Sequence, residues 1–289
     1  MSLALAVVAA ASLFSPIKPA VAASPALPSC RSWAATQRGE GLQKPQGRAA
    51  SFRTRFLDSG GGLRPVNRKY VAIFFPEHWE DSGQRRLIVD LHGTGGSPEE
   101  NWGVDWVRVL PARNWAYVGL KYVDDASGVH DDETTMYANV KAAFDDIRSQ
   151  CDLGATVNVL MGFSRGSAQA FSLAALDLKD RRLFSAIVHN SGAWIPGKPL
   201  PPTLREMQAR ADRRGLAGSK HFMYCGERDH SHEVPMCEEM TTAREFVLAH
   251  GGAVEPLFKD ARGGHGGLAK SKDALDAMFA FLERSIVAR

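Results

Sequence analysis

Gly162-Phe163-Ser164-Arg165-Gly166-Ser167 is the stretch on which the reading of this chain turns. The residues before it, Val157 to Met161, are a short apolar run that reads as a buried strand. Those after it, Ala168 to Leu178, are alanine-rich, with apolar positions at Ala168, Phe171 and Ala175, and read as a helix. A strand, a Gly-x-Ser-x-Gly turn and a helix together describe a nucleophile elbow. The spacing has a steric cause. Such a turn holds its serine at positive φ and crowds the positions two before and two after it. Gly162 and Gly166 fill those positions and have no Cβ to clash. The helix that starts there aims free N–H groups and a partial positive charge at Ser164.

On either side of the elbow, strand and helix signals alternate. Tyr70 to Phe75, Arg85 to Leu91 and Trp115 to Leu120 read as strands before it. Ser51 to Leu57 is expected to be a further strand, antiparallel to Tyr70–Phe75 across the turn Ser59-Gly60-Gly61-Gly62. After the elbow, Phe184 to Val188, His221 to Cys225 and Val254 to Phe258 read as strands. Helices are expected from about Thr134, with Tyr137, Val140, Phe144 and Ile147 on one face, and over Pro235 to Ala249. The last helix places Leu275, Met278, Phe279, Leu282 and Ile286 on one face. The expected fold class is therefore α/β, a mostly parallel central sheet with helices on both faces and antiparallel N-terminal strands. In such sheets, sites lie beyond the carboxyl ends of the strands.

A serine hydroxyl needs a general base, and the base needs an orienting carboxylate. On this architecture the chain order is serine, acid, histidine. His265, inside Gly263-Gly264-His265-Gly266-Gly267, follows the last strand and is the expected base. Asp229, in Gly226-Glu227-Arg228-Asp229, is the expected acid, with Glu227 a rival in the same loop and Asp260 a weaker one. His230 and His232 are expected to close over the site. The base must be neutral to accept a proton, so activity falls when it is protonated. The oxyanion hole is assigned to the N–H groups of Arg165 and Thr94. Thr94 lies in His92-Gly93-Thr94-Gly95-Gly96, which lacks the Gly-Lys-Ser/Thr ending of a nucleotide loop. Trp102, Trp106 and Trp194 are candidates for an aromatic, substrate-binding wall, and the segment from Pro196 to about Arg214 for a small cap. The Arg165 side chain either attracts an anionic substrate or pairs with a loop acid.

The chain has 289 residues and a formal charge of +3. Its densest basic stretch, Arg53, Arg55, Arg64, Arg68 and Lys69, is interrupted and has little aromatic interleaving, which argues against nucleic-acid binding. The acidic loop Asp124, Asp125, Asp131, Asp132 and Glu133 matches no calcium-loop spacing and reads as solvated. Leu3 to Leu13 is apolar and is followed by Ala20-Val21-Ala22, so residues 1–23 are expected to be a signal peptide for secretion or periplasmic export. No other stretch is apolar enough to span a bilayer. Residues 24–48 are expected to be an extended tail and 49–289 one catalytic domain. Four cysteines in an exported chain suggest disulfides. Of three connectivities, Cys225–Cys237 with Cys30–Cys151 is preferred, because Cys225 and Cys237 flank one loop.

The chain resembles α/β-hydrolase serine esterases, and within that fold the secreted polyhydroxybutyrate-depolymerase and feruloyl-esterase-like group. The similarity covers Phe52 to Arg289. It rests on Arg68-Lys69-Tyr70 leading to Phe75-Pro76, on Leu91-His92-Gly93, on Gly162-Phe163-Ser164-Arg165-Gly166, on the Gly226–Asp229 loop and on Gly264-His265-Gly266. Arg165 departs from the small or apolar residue common at that place in the group. The resemblance implies a serine esterase with Ser164, Asp229 and His265 as nucleophile, acid and base. Its expected substrates are feruloyl, acetyl or short hydroxyalkanoate esters, as small molecules or oligomers, turned over without metal or organic cofactor. The rival readings are a prolyl-oligopeptidase-like peptidase and an inactive hydrolase fold used for binding.

Overall fold

The computed structural model describes residues 27–124 and 127–287. The expected signal peptide, residues 1–23, lies outside the described residues. The strands are β1 (Gly62–Val66), β2 (Lys69–Phe74), β3 (Arg85–Leu91), β4 (Trp115–Lys121), β5 (Thr156–Phe163), β6 (Phe184–Asn190), β7 (Lys220–Gly226), β8 (Ala253–Val254) and β9 (Phe258–Asp260). They form one sheet in the order β1-β2-β4-β3-β5-β6-β7-β8, with β9 also beside β7. β2 runs antiparallel to both β1 and β4, and every later pairing is parallel. Pro65, which has no N–H to give a ladder, falls on the edge strand β1.

The helices are α1 (Cys30–Thr36), α2 (Gly47–Asp58), α3 (Pro98–Asn101), α4 (Val109–Ala112), α5 (Glu133–Gln150), α6 (Arg165–Lys179), α7 (Pro202–Ala209), α8 (Met236–Ala249) and α9 (Lys272–Val287). Two apolar layers cover the sheet. On one side Tyr137, Val140, Phe144 and Ile147 of α5 pack with Ala170, Leu173 and Ala174 of α6 over Val89, Leu91 and Leu160. On the other, Met278, Phe279 and Leu282 of α9 pack with Ile88, Val159, Val188 and Phe222. Each fully buried Leu, Phe or Met contributes on the order of 1.5–3 kcal/mol.

Three expectations are corrected. Ser51–Leu57 is not a strand but part of α2. Phe52 and Phe56 are buried, whereas Thr54, which a strand would bury beside them, is exposed. A spacing of four residues satisfies both a period of two and one of 3.6, so the two phenylalanines alone do not distinguish them. Val254–Phe258 is not one strand, because Pro256 separates β8 from β9. Residues 27–48 are not a plain extended tail. Ser29 caps α1 by accepting from the Ser32 N–H, Trp33 is buried, and Cys30 is bonded to Cys151. The expected domain boundary at residue 49 falls inside α2.

Candidate active site

β5 delivers the chain to Ser164 at φ 53° and ψ −119°, and α6 starts at the next residue. The glycines are required by close backbone approach. A Cβ on Gly162 would lie 2.2 Å from the Gly166 carbonyl oxygen, and one on Gly166 would lie 2.0 Å from that of Leu91. A third glycine not singled out from sequence, Gly192, has the same restriction, with a Cβ placed 1.9 Å from the Ser164 carbonyl oxygen. The Ser164 N–H donates to the Asn190 carbonyl at 2.9 Å, which fixes the elbow to the end of β6.

Ser164, His265 and Asp229 are brought together from three separate loops at the carboxyl edge of the sheet. Ser164 Oγ lies 2.9 Å from His265 Nε2, and His265 Nδ1 lies 2.7 Å from Asp229 Oδ2. The Asp229 side chain is fully buried and that of His265 is 32% exposed. With Nδ1 donating to the carboxylate, Nε2 is left as acceptor for the serine hydroxyl. Glu227 is exposed and Asp260 accepts from the Tyr224 hydroxyl, so neither rival acid contacts His265. Phe163 lies beside the imidazole, with ring centroids 4.9 Å apart.

Sequence reasoning missed Ser231. Its hydroxyl donates to Asp229 Oδ1 at 2.7 Å, and its N–H donates to the same oxygen at 3.1 Å. Both carboxylate oxygens are therefore occupied. No pattern distinguishes this serine from other loop serines. The disulfide Cys225–Cys237 brackets the loop that carries Asp229, Ser231 and His232.

Thr94 and Arg165 both border the cleft that opens over Ser164, a space of about 780 Å³. Gly93 passes so close that a Cβ there would lie 3.3 Å from Ser164 Cβ. The rest of the wall is apolar at Ala193, Trp194, Ile195, Leu200 and Pro201, and α7 contributes Thr203 and Glu206. The segment expected to form a cap thus supplies one side of the cleft. Trp194 is in the wall, held edge-on by Phe171 and Phe246. Trp102 and Trp106 are not. Trp102 is buried among Phe56, Phe74 and Tyr117, because its helical segment turns the indole under the sheet. A buried indole that does not line the cleft does not fit the expected substrate-binding role.

Among the described residues no group of three or more His, Cys, Asp or Glu side chains is placed to hold a metal ion, and no helix is long and apolar enough to cross a membrane.

No protein-family model matches the sequence, and no curated protein sequence matches it. Solved structures do. Est1E from Butyrivibrio proteoclasticus is 15% identical with a TM-score of 0.52, over 78% of this chain and 99% of that one. A second structure of Est1E holds ferulic acid. An esterase structure from Rhizomucor miehei is 14% identical with a TM-score of 0.56, over 91% and 97% of the two chains. Brefeldin A esterase, described as a bacterial homologue of human hormone-sensitive lipase, is 17% identical with a TM-score of 0.57, over 78% and 77%. At such identities the likeness concerns the fold. The strand order, the single antiparallel strand β2 inside the sheet and these neighbours define an α/β-hydrolase fold.

Proposed function

We propose that the chain is a secreted carboxylic ester hydrolase that works through an acyl-enzyme. The observation that supports it is the unbroken contact from Ser164 Oγ through the His265 ring to the buried Asp229 carboxylate, at 2.9 and 2.7 Å. In this reading Ser164 Oγ attacks the ester carbonyl carbon while His265 Nε2 takes its proton. The carbonyl oxygen gains negative charge, which the N–H groups of Arg165 and Thr94 stabilise together with the positive end of α6. The imidazolium, steadied by Asp229, then gives its proton to the leaving alkoxide oxygen as the C–O bond breaks. Water repeats the sequence on the acyl-enzyme, releases the acid and returns the proton to Ser164.

The Trp194, Ile195 and Leu200 wall suits an aryl or short alkyl group, consistent with feruloyl, acetyl or short hydroxyalkanoate esters. Two disulfides fit an oxidising compartment and support export. The test is hydrolysis of p-nitrophenyl acetate and butyrate, methyl ferulate and a hydroxybutyrate oligomer by wild type and Ser164→Ala, beside labelling with a fluorophosphonate probe. Turnover and labelling that both vanish in the variant are expected. Turnover that persists in Ser164→Ala overturns the reading.

A further inference from the structure

The cleft beside Ser164 holds charge that ester hydrolysis by itself does not use. Arg165 and Lys198 both line it, and neither side chain has a hydrogen-bond or ion-pair partner among the described residues. His232 lines it too. Its Nδ1 lies 2.9 and 3.1 Å from the two oxygens of Glu239, a carboxylate with no exposed surface. Burial pushes the Glu239 carboxyl up, and its hydrogen bond with His232 opposes that. A buried carboxylate is costly unless paired. Here the pairing fixes the proton on Nδ1 and leaves Nε2 as an acceptor.

The same cleft carries four acids, but each is engaged. Asp132 caps α5, accepting from the N–H groups of Thr134 and Thr135, and these bonds with the Thr134 hydroxyl hold its carboxyl down to about 2. Asp131 lies 3.8 Å from the Lys69 ammonium. Glu133 accepts from the Ser172 hydroxyl and the Thr203 N–H. Glu206 reaches Arg210 at 3.4 Å. The charged groups left uncommitted in the described wall are therefore two cations, a guanidinium next to the nucleophile and an ammonium on an exposed loop, beside the buried, unpartnered Gln169 Oε1. The two cations match the oxygens of a carboxylate.

We propose that the cleft recognises esters that also carry a free carboxylate, held by Arg165 and Lys198 while Ser164 attacks the ester. This rests on the hydrolase reading above and names the substrate class of the same site. Two 4-nitrophenyl esters of equal chain length test it, the hexanoate and the adipate monoester, which differ by a terminal carboxylate. The expected kcat/KM is at least about tenfold higher for the adipate monoester at low salt. The adipate-to-hexanoate ratio should fall by about tenfold in Lys198→Glu, an exposed position whose substitution leaves the core untouched, and also in Arg165→Gln. Adipate should bind the Ser164→Ala protein by calorimetry and lose that binding when Lys198→Glu is added. Equal kcat/KM values, or a ratio that neither variant moves, overturn the carboxylate inference while leaving the hydrolase reading intact. A protein that turns over neither ester and takes no fluorophosphonate label overturns both.

Discussion

At Ser164 the backbone conformation bears directly on the proposed chemistry. A φ of 53° in a serine is strained, and its neighbours hold it there. Gly166→Ala places a methyl group against the Leu91 carbonyl. The expected outcome is at least a tenfold loss of kcat/KM together with a lower Tm, read by ester turnover and thermal melting. The acid is tested in the same way. Asp229→Asn removes the acceptor that fixes the His265 tautomer and should lower kcat by roughly 10⁴-fold. Glu227→Gln, in an exposed side chain that touches nothing in the site, should change it by less than about twofold. A reversal of that order would reassign the acid.

At the scale of elements, the two disulfides separate structure from function. Cys30–Cys151 closes a separation of 121 residues and ties α1 to the end of α5. In the chain-entropy account it stabilises by about 5 kcal/mol, and Cys225–Cys237, with a separation of 12, by about 3 kcal/mol. Only the second encloses Asp229, Ser231 and His232. Replacing Cys30 and Cys151 by serine should therefore lower Tm strongly and leave kcat within about threefold well below the transition. Replacing Cys225 and Cys237 should lower kcat by about tenfold or more under conditions where far-UV circular dichroism reports a folded chain, because the acid loop loses its clasp. Equal effects of the two pairs on kcat would refute this division. The elements also show where periodicity misleads. α2 was open to misreading because Phe52 and Phe56 are four apart, and only the exposure of Thr54 decides for a helix.

For the whole molecule, a histidine pair inside the α6 and α8 side of the sheet sets a pH limit. His189 Nε2 lies 2.9 Å from His221 Nδ1, with both rings stacked beside Phe171 and fully buried. Burial lowers His221 to about 3 and, with the neighbouring imidazole, lowers His189 as well. In the unfolded chain both titrate near 6.5. Below that pH the unfolded state binds protons that the native state rejects. The pair's contribution is thus complete above about pH 6.5 and is lost as pH falls towards 3. Each histidine should add about 1.4 kcal/mol per pH unit to the slope of unfolding free energy between pH 6 and 4. Denaturant unfolding at three pH values checks this, with His221→Gln expected to make the slope shallower by about one proton. An unchanged slope would mean that the pair is solvated.

The serine elbow, the serine–acid–histidine order and the alternation of strands and helices were legible in the chain because each is local. Glycine spacing, apolar period and turn composition act over a few residues, and they point to Ser164 and His265 and to a loop that holds both Asp229 and Glu227. The tertiary structure decided what depends on residues far apart. It brought Asp229 rather than Glu227 to His265, added Ser231 to the carboxylate, put Trp194 in the cleft wall and buried Trp102 under the sheet. It also paired Glu239 with His232 and left Arg165 and Lys198 facing the same space. A side chain's surroundings are set by packing between elements that the sequence separates by tens of residues, and no local pattern carries that information.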